Sequence, residues 1–451
     1  MKQFFVIAAI LFSFLHSFAQ YENFDLSTYK LPELKRHQLD LYFDSEGNFR
    51  SNFSKDNIYF ENEDIEQKYN EFDSGVDLMY SFYRNSEKLQ ASAAVNFSTN
   101  YRLEKNHGFQ INETDSRFIG SGIECVSNFK FFNPDNWFLS VSPSLNISGS
   151  NFKNPDNGNS GTVLEQSKTS GAFLFGGGKG RIEQVQDFRH AILLLQELDG
   201  SGLKRELTEA EVYELSVLIS ELKNKRFFDS RIRKKKDLTA VDSFLVDKGV
   251  ISNNNEIAYF VGLEDIWEFG DLQIRGSGNQ LRFIAGPEYY NNRRKYKDND
   301  ENKLEQIKIL TTLEYCSRKP ISLKWQRNFD IGLNYLNTEN LVQENISTGS
   351  SKHYSQAYSD LSFGFFPNTR TSLLFWGRTE LHNWSSEDLF EERIAFRFST
   401  GVSVNYYISA KLRLNGHANI RYDKSGLFNE DAVKSTFNRY SYGVHLNYSI
   451  F

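Results

Sequence analysis

The chain has 451 residues, a net charge of −6 and a mean hydropathy of −0.53. The acidic balance argues against a general affinity for nucleic acid, and two distant cysteines, Cys125 and Cys316, form neither a disulfide framework nor a metal-ligand spacing. Aromatic residues still make up 15% of the chain, with 40 Phe and 23 Tyr. A chain that is polar on average yet this aromatic points to a transmembrane β-barrel, which keeps its apolar side chains at alternate positions.

Residues 1–19 are expected to be a secretory signal peptide. Lys2 gives a positive start, Phe4 to Phe14 is apolar but too short to span a bilayer, and Ser17 and Ala19 stand at −3 and −1 from Gln20. No cysteine lies near the cut, so a lipid anchor is not expected. Beyond it the longest aliphatic run is Ala191 to Leu195, and no helix is expected to cross a membrane.

Six strand patterns follow in the first barrel half, residues 20–177: 35–52, 72–84, 88–104, 116–132, 137–151 and 167–177. They exceed the five or six residues usual in soluble strands and reach the ~9–11 that a tilted spanning strand needs. The sixth runs into GAFLFGGGKGRIEQV, residues 171–185. A phosphate-binding loop would need Ser or Thr after Lys179, where Gly180 stands, and a dinucleotide fingerprint would need a later glycine, where Arg181 stands. Gly176, Gly177, Gly178 and Gly180 are therefore expected to be a hinge, letting the chain leave the barrel wall for a helix. No cofactor is expected.

Residues 178–270 change period. Phe188, Ala191, Ile192, Leu195 and Leu198 recur at helical spacing, and Thr208 to Glu211 (TEAE) is a capping box. Val212, Leu215, Leu218, Ile219 and Leu222 form a second apolar face; Leu238, Val241, Phe244 and Leu245 form a third, ended by Gly249. Ile257 to Phe269 is either a fourth short helix or a return segment. The expected unit is a small helical subdomain, hanging in the periplasm or plugging the lumen. Its basic cluster Arg231, Arg233, Lys234, Lys235 and Lys236 either contacts anionic headgroups or a protein partner, or is a solvated face.

Eight further strands make up the second half, residues 271–451: 278–294, 305–318, 321–338, 354–366, 371–384, 391–408, 410–424 and 437–451. The period is plainest from Arg393 on. Ile394, Phe396, Phe398, Val402 and Val404 share one face, while Arg393, Arg397, Ser399, Ser403 and Asn405 share the other. The joins alternate: Asn85–Glu87, Asn133–Asn136, Arg318–Pro320, Pro367–Arg370 and Ser409 are short. Lys105–Asp115, Phe152–Gln166, Glu339–His353, Ser385–Phe390 and Lys424–Thr436 are long. Short periplasmic turns and long outer loops are expected of a bacterial barrel, as are an even strand count and periplasmic termini. By that parity the helical insertion, between strands six and seven, falls on the periplasmic side.

The ending NRYSYGVHLNYSIF resembles the terminal strand of Gram-negative outer-membrane barrel proteins, although Phe451 is one residue out of step with Val444, Leu446, Tyr448 and Ile450. The resemblance implies an outer-membrane location, contact with lipid and recognition of this strand by the barrel-assembly machinery. The expected fold is an all-β transmembrane barrel of about fourteen antiparallel strands with a helical insertion.

Lumen-lining candidates are Arg378, Glu380, Arg393, Arg397, Arg413, His417, Arg421 and Asp423, with Asp330 and Asp360 on neighbouring strands. They form either a selectivity constriction or paired charges that hold the interior together. No catalytic motif is recognised: His382, His417, His445, Ser403 and Ser441 are scattered near one region without a nucleophile–base spacing. The leading expectation is a channel for small solutes gated or plugged by the helices. The alternative is an assembly component whose periplasmic helices bind another envelope protein.

Overall fold

The computed structural model describes residues 24–56, 63–108, 111–153, 163–199, 203–224, 230–251, 257–270, 275–296, 301–344, 351–386, 393–409, 412–425 and 436–448. Residues 1–19, the expected signal peptide, and Phe451 lie outside them. Fourteen strands are described: β1 Leu34–Asp56, β2 Glu63–Asn85, β3 Leu89–Gly108, β4 Ile111–Phe132, β5 Trp137–Lys153, β6 Val163–Gln184, β7 Gly276–Tyr296, β8 Glu301–Pro320, β9 Trp325–Glu344, β10 Ser351–Phe365, β11 Thr371–Ser386, β12 Arg393–Tyr407, β13 Leu412–Ser425 and β14 Thr436–Tyr448. Each pairs antiparallel with the next in one sheet, and β1 and β14 come within 8 Å of each other. The chain thus folds as a transmembrane β-barrel of the outer-membrane type. Among the described residues no helix is long and apolar enough to cross a membrane.

Register converts the sequence period into two surfaces. Leu39 pairs with Tyr80, Tyr80 with Val95 and Val95 with Cys125, and the same row continues through Leu145. Leu39, Phe43, Phe97, Ile123, Leu139, Phe175, Leu333 and Val404 are exposed along such rows. They form the band that faces hydrocarbon. Trp137 and Tyr406 lie at its short-turn edge, where amphipathic rings suit the interface.

The strands are longer than the period predicts. β3 and β4 pair as far as Gly108 and Ile111, so most of the expected loop Lys105–Asp115 is ladder. Likewise β9 runs to Glu344 and β10 begins at Ser351, inside the expected loop Glu339–His353. A strand of twenty residues reaches ~66 Å, about twice the hydrocarbon thickness. Outward positions there become polar (Asn291, Arg293, Glu305, Asn337). With water on both sides the apolar alternation ends while backbone pairing continues, so hydrophobic period cannot see it. The third short turn also moves, from 318–320 to 321–324, where the Ser322 hydroxyl accepts from the amides of Lys324 and Trp325 at 3.3 and 3.2 Å.

Gly176, Gly177, Gly178 and Gly180 are not the hinge. All four lie inside β6, which continues to Gln184 before the first helix. Their absent side chains serve close approach instead. A Cβ on Gly176 would stand 2.0 Å from the Phe283 carbonyl oxygen, and one on Gly178 2.1 Å from that of Leu281. Gly180 has φ 98°, a value that favours glycine. We expect Gly178→Val to abolish the folded, heat-modifiable barrel on gels, because backbone cannot yield. Gly416→Ala, whose Cβ meets nothing within 4 Å, should fold normally.

Four helices are described in the insertion: α1 Gln186–Asp199, α2 Glu209–Asn224, α3 Ser230–Asp247 and α4 Ile257–Phe269. α4 resolves the open choice in favour of a helix. The predicted faces pack together, with Ile192, Leu195, Leu198, Val212, Leu215, Ile219, Val241 and Leu245 fully buried in one apolar core. The capping box forms: the Thr208 amide donates to Glu211 Oε2 at 2.9 Å and the Glu211 amide to Thr208 Oγ1 at 3.4 Å. Gly249, φ 68°, ends α3. Bonds from Arg205 and Thr208 hold the Glu211 carboxyl well down, to about 2. A depressed carboxylate contributes stability present above its unfolded pKa of ~4.3 and lost as pH falls toward the folded value. Far-ultraviolet melting should therefore show α2 loosening between about pH 4.5 and 2, an effect absent in Glu211→Gln.

This core is not built from the insertion alone. Leu26, Tyr29, Leu31 and Leu34 belong to it, so an N-terminal strap crosses from β1 to the ends of β7 and β8, where the turn Leu26–Thr28 rests. Tyr29 stacks on Phe188 with centroids 5.4 Å apart. Its hydroxyl lies 3.2 Å from Ser220 Oγ.

Candidate functional site

The helices dock on the short-turn end of the barrel. Arg181, at the end of β6, donates to the carbonyls of Ser86 and Glu87 in the β2–β3 turn, both at 2.8 Å. Arg36 on β1 donates through Nε to Asn224 Oδ1 at 2.9 Å and lies 3.9 Å from buried Asp187 of α1. Arg275 donates to the carbonyls of Ser322, Leu323 and Trp325 in the β8–β9 turn at 2.6–2.7 Å. Arg370, in the β10–β11 turn, pairs with Asp265 of α4 and lies 4.1 Å from the Phe269 ring centroid. The strap's Leu31 carbonyl accepts from Asn85 beside the β2–β3 turn at 3.1 Å, Arg189 of α1 reaches the Leu323 carbonyl and α4 holds the β10–β11 turn, so helices and strap together cap this mouth.

Above the cap the wall carries a chain of ion pairs. Arg282 meets Glu314 at 2.6 Å and Arg318 meets Asp330 at 2.6 Å. Arg378 meets Asp360 at 3.1 Å and Glu380 at 2.7 Å; Arg397 meets Glu380 at 3.2 Å and Asp423 at 2.6 Å. Arg421 closes the series on Asp423 at 2.5 Å. Each cation has its carboxylate, so the belt from β7 to β13 is electrically balanced. Of the predicted lumen residues, Arg378, Glu380, Arg397, Arg421 and Asp423 meet in it. Arg413 stands outside it, Arg393's side chain lies outside the described residues, and His417 faces Ser403 across β12–β13. His382, near the belt, accepts or donates at 2.7 Å with the Tyr354 hydroxyl and is 3.5 Å from Glu380.

Between cap and belt lies a cavity of about 720 Å³, lined by Tyr83, Gln90, Lys130, Glu183, Arg275, Arg318, Gln326, Phe366, Asn405 and Arg413, among others. Behind its floor Arg189 of α1 is 1% exposed. Its Nε donates to the Leu323 carbonyl at 3.2 Å, while Nη1 and Nη2 have no partner among the described residues. Both guanidinium groups, of Arg189 and Arg275, lie near the Phe366 ring, 5.6 and 5.3 Å from its centroid. Burial, and then the charge of Arg275, pull Arg189 down to about 9; burial pulls Arg275 to about 10. Sequence reasoning missed Tyr29, Lys130, Arg189, Arg275 and Arg370. A signal existed for one: Arg189 is charged beside Phe188 and Ala191 on the apolar face of α1.

The basic cluster divides. Arg233 turns inward, to Asp237 at 3.4 Å and to the Leu222 carbonyl. Lys234 bridges Glu264 and Glu268 of α4 at 2.5 and 2.8 Å. Those two bind the cap together rather than offering a contact patch; Lys235 and Lys236 stay exposed, and Arg231's side chain lies outside the described residues. Cys125 and Cys316 are free thiols. No group of potential metal ligands occurs among the described residues.

No protein family matches the chain, and no curated protein does. Among solved structures it is similar to the β domain of the Bordetella autotransporter BrkA, at 7% identity and a TM-score of 0.27, over 93% of this chain and 100% of that one. It is also similar to the Pseudomonas putida toluene transporter TodX, at 8% and 0.27 over 93% and 89%, and to Pseudomonas aeruginosa OpdQ, at 7% and 0.24 over 92% and 97%. The barrel assignment rests instead on the chain's own strand order, register and apolar outer band.

Proposed function

We propose that the chain is an outer-membrane conduit for small solutes, exported by its signal peptide and closed at the periplasmic mouth by the helical cap. The carrying observation is the cap's docking to turns around one end of a wide, polar-walled barrel. Fourteen strands at ~4.8 Å spacing and ~40° tilt enclose about 28 Å from backbone to backbone, more than side chains alone fill. No catalytic constellation is assigned to it. Swelling of proteoliposomes in a small sugar tests the reading: slow for the intact chain and fast once residues 186–270 are replaced by a short linker. Slow swelling of both would overturn it. For orientation, an epitope at Gly200 should be hidden on intact cells and one inside 345–350 exposed; labelling at Gly200 would reverse the assignment.

One observation favours a second reading, an envelope-assembly role through a bound periplasmic protein. Ile257, Phe260 and Val261 are 81%, 43% and 58% exposed on α4. Loss of a co-purifying envelope protein in Ile257→Asp, with flux unchanged, would support it.

A further inference from the structure

The geometry points to the capped cavity as a binding site for an anionic solute bearing a carboxylate or phosphate, held by Lys130 and Arg413, with the charge of Arg275 in the wall beside them. This deepens the conduit reading by naming the class of solute and rests on it. At about 720 Å³ the cavity falls within the range of small-molecule sites. Its charges are unevenly answered. Arg318 is held by Asp330 at 2.6 and 2.8 Å, and Glu183 by Arg181 at 2.5 Å.

Lys130, Arg275 and Arg413 have no carboxylate partner among the described residues. Lys130 donates to Gln280 Oε1 at 2.6 Å, a neutral acceptor. Arg275 is spent on the side chain of Gln326 and three backbone carbonyls. Arg413 reaches only the Tyr407 hydroxyl, at 3.4 Å, and its Nε has no partner. Behind them Arg189 adds a fourth cation whose Nη1 and Nη2 are unpartnered.

A cation in a cavity wall without a carboxylate is costly to hold; Lys130 and Arg413 are half-buried there and Arg275 is buried. The belt directly above shows that this chain pairs lumen charges where it has no use for them. A surplus of positive charge around one cavity of mixed polar and apolar lining is the arrangement that an incoming anion would complete, through charge-assisted bonds. Among the described lining residues a cationic solute would find one carboxylate, Glu183, already held by Arg181.

Calorimetric titration of the purified full chain with citrate and, separately, inorganic phosphate tests the site without requiring flux. We expect saturable binding of at least one anion, weakened by salt, with citrate identifying a carboxylate solute and phosphate a phosphoryl one. Lys130→Gln and Arg413→Gln, which leave the cap's attachments intact, should each weaken binding by about ten- to a hundredfold. Absence of binding by both anions, or affinities unchanged in both variants, would overturn the proposal. Binding without flux through the cap-less barrel would sink the conduit reading and leave the site standing; flux without binding would do the reverse.

Discussion

Replacing residues 186–270 with a short glycine–serine linker should convert a barrel that is closed in planar bilayers into one with steady, porin-like single channels. The intact mouth is crossed twice, by the strap and by the helices. Asn224 of α2 holds Arg36 on β1, Arg189 of α1 reaches the β8–β9 turn and Asp265 of α4 pairs with Arg370 in the β10–β11 turn. Strands β6 and β7 pair directly with each other from Val163–Tyr296 to Gln184–Gly276, so the deletion should not open the wall. With side chains projecting about 5 Å inward, an open lumen of roughly 15–18 Å would remain for ions. Because the ion-pair belt is balanced, its selectivity should be weak until the cavity cations are reached. A cap-less barrel that assembles and stays silent would show that the lumen is filled from the wall, not from the cap.

The second large effect is Tyr29→Ala. The ring is 1% exposed, lies 5.4 Å from the centroids of both Phe188 and Tyr213 and joins the strap to the helix core. Removing a buried aromatic ring costs about 3–5 kcal/mol, which is roughly two to four orders of magnitude in the open–closed equilibrium of the cap. Hydrogen exchange should then accelerate in α1 and α2 while the strand amides stay protected. Tyr29→Phe keeps the ring and loses only the contact with Ser220, worth about 1 kcal/mol. Equal exchange in Tyr29→Ala and the parent would show that the strap is not part of the cap's core.

Much of this architecture is written locally. The lumen and lipid faces of β12 and β13 follow from a period of two, because neighbouring strands impose opposite environments on alternate residues. The faces of α1 to α3 follow from helical spacing, and the capping box at Thr208 and Glu211 from four consecutive residues. The lateral ion pairs were approachable as well, since Arg397 and Asp423 lie on lumen faces of adjacent strands.

Other features have no local signature. Wall pairing beyond the membrane carries no apolar alternation, so the ladders near Gly108 and Glu344 read as loops. A glycine run looks the same whether it bends the chain or admits a neighbour's backbone; only the approach of β7 distinguishes these at Gly176 and Gly178. Sequence by itself determined the barrel, its two-faced strands and a helical unit with apolar faces to bury. Tertiary structure decided that residues 26–34 complete that core, that the cap sits on the short-turn mouth, and that Lys130, Arg275 and Arg413 face one cavity. Tyr29 meets Ser220 across 191 residues, and Lys130 and Arg413 share a cavity only because the sheet curls until β1 and β14 meet. Contacts made by closure leave no period in the chain, because no residue's neighbours in sequence feel them.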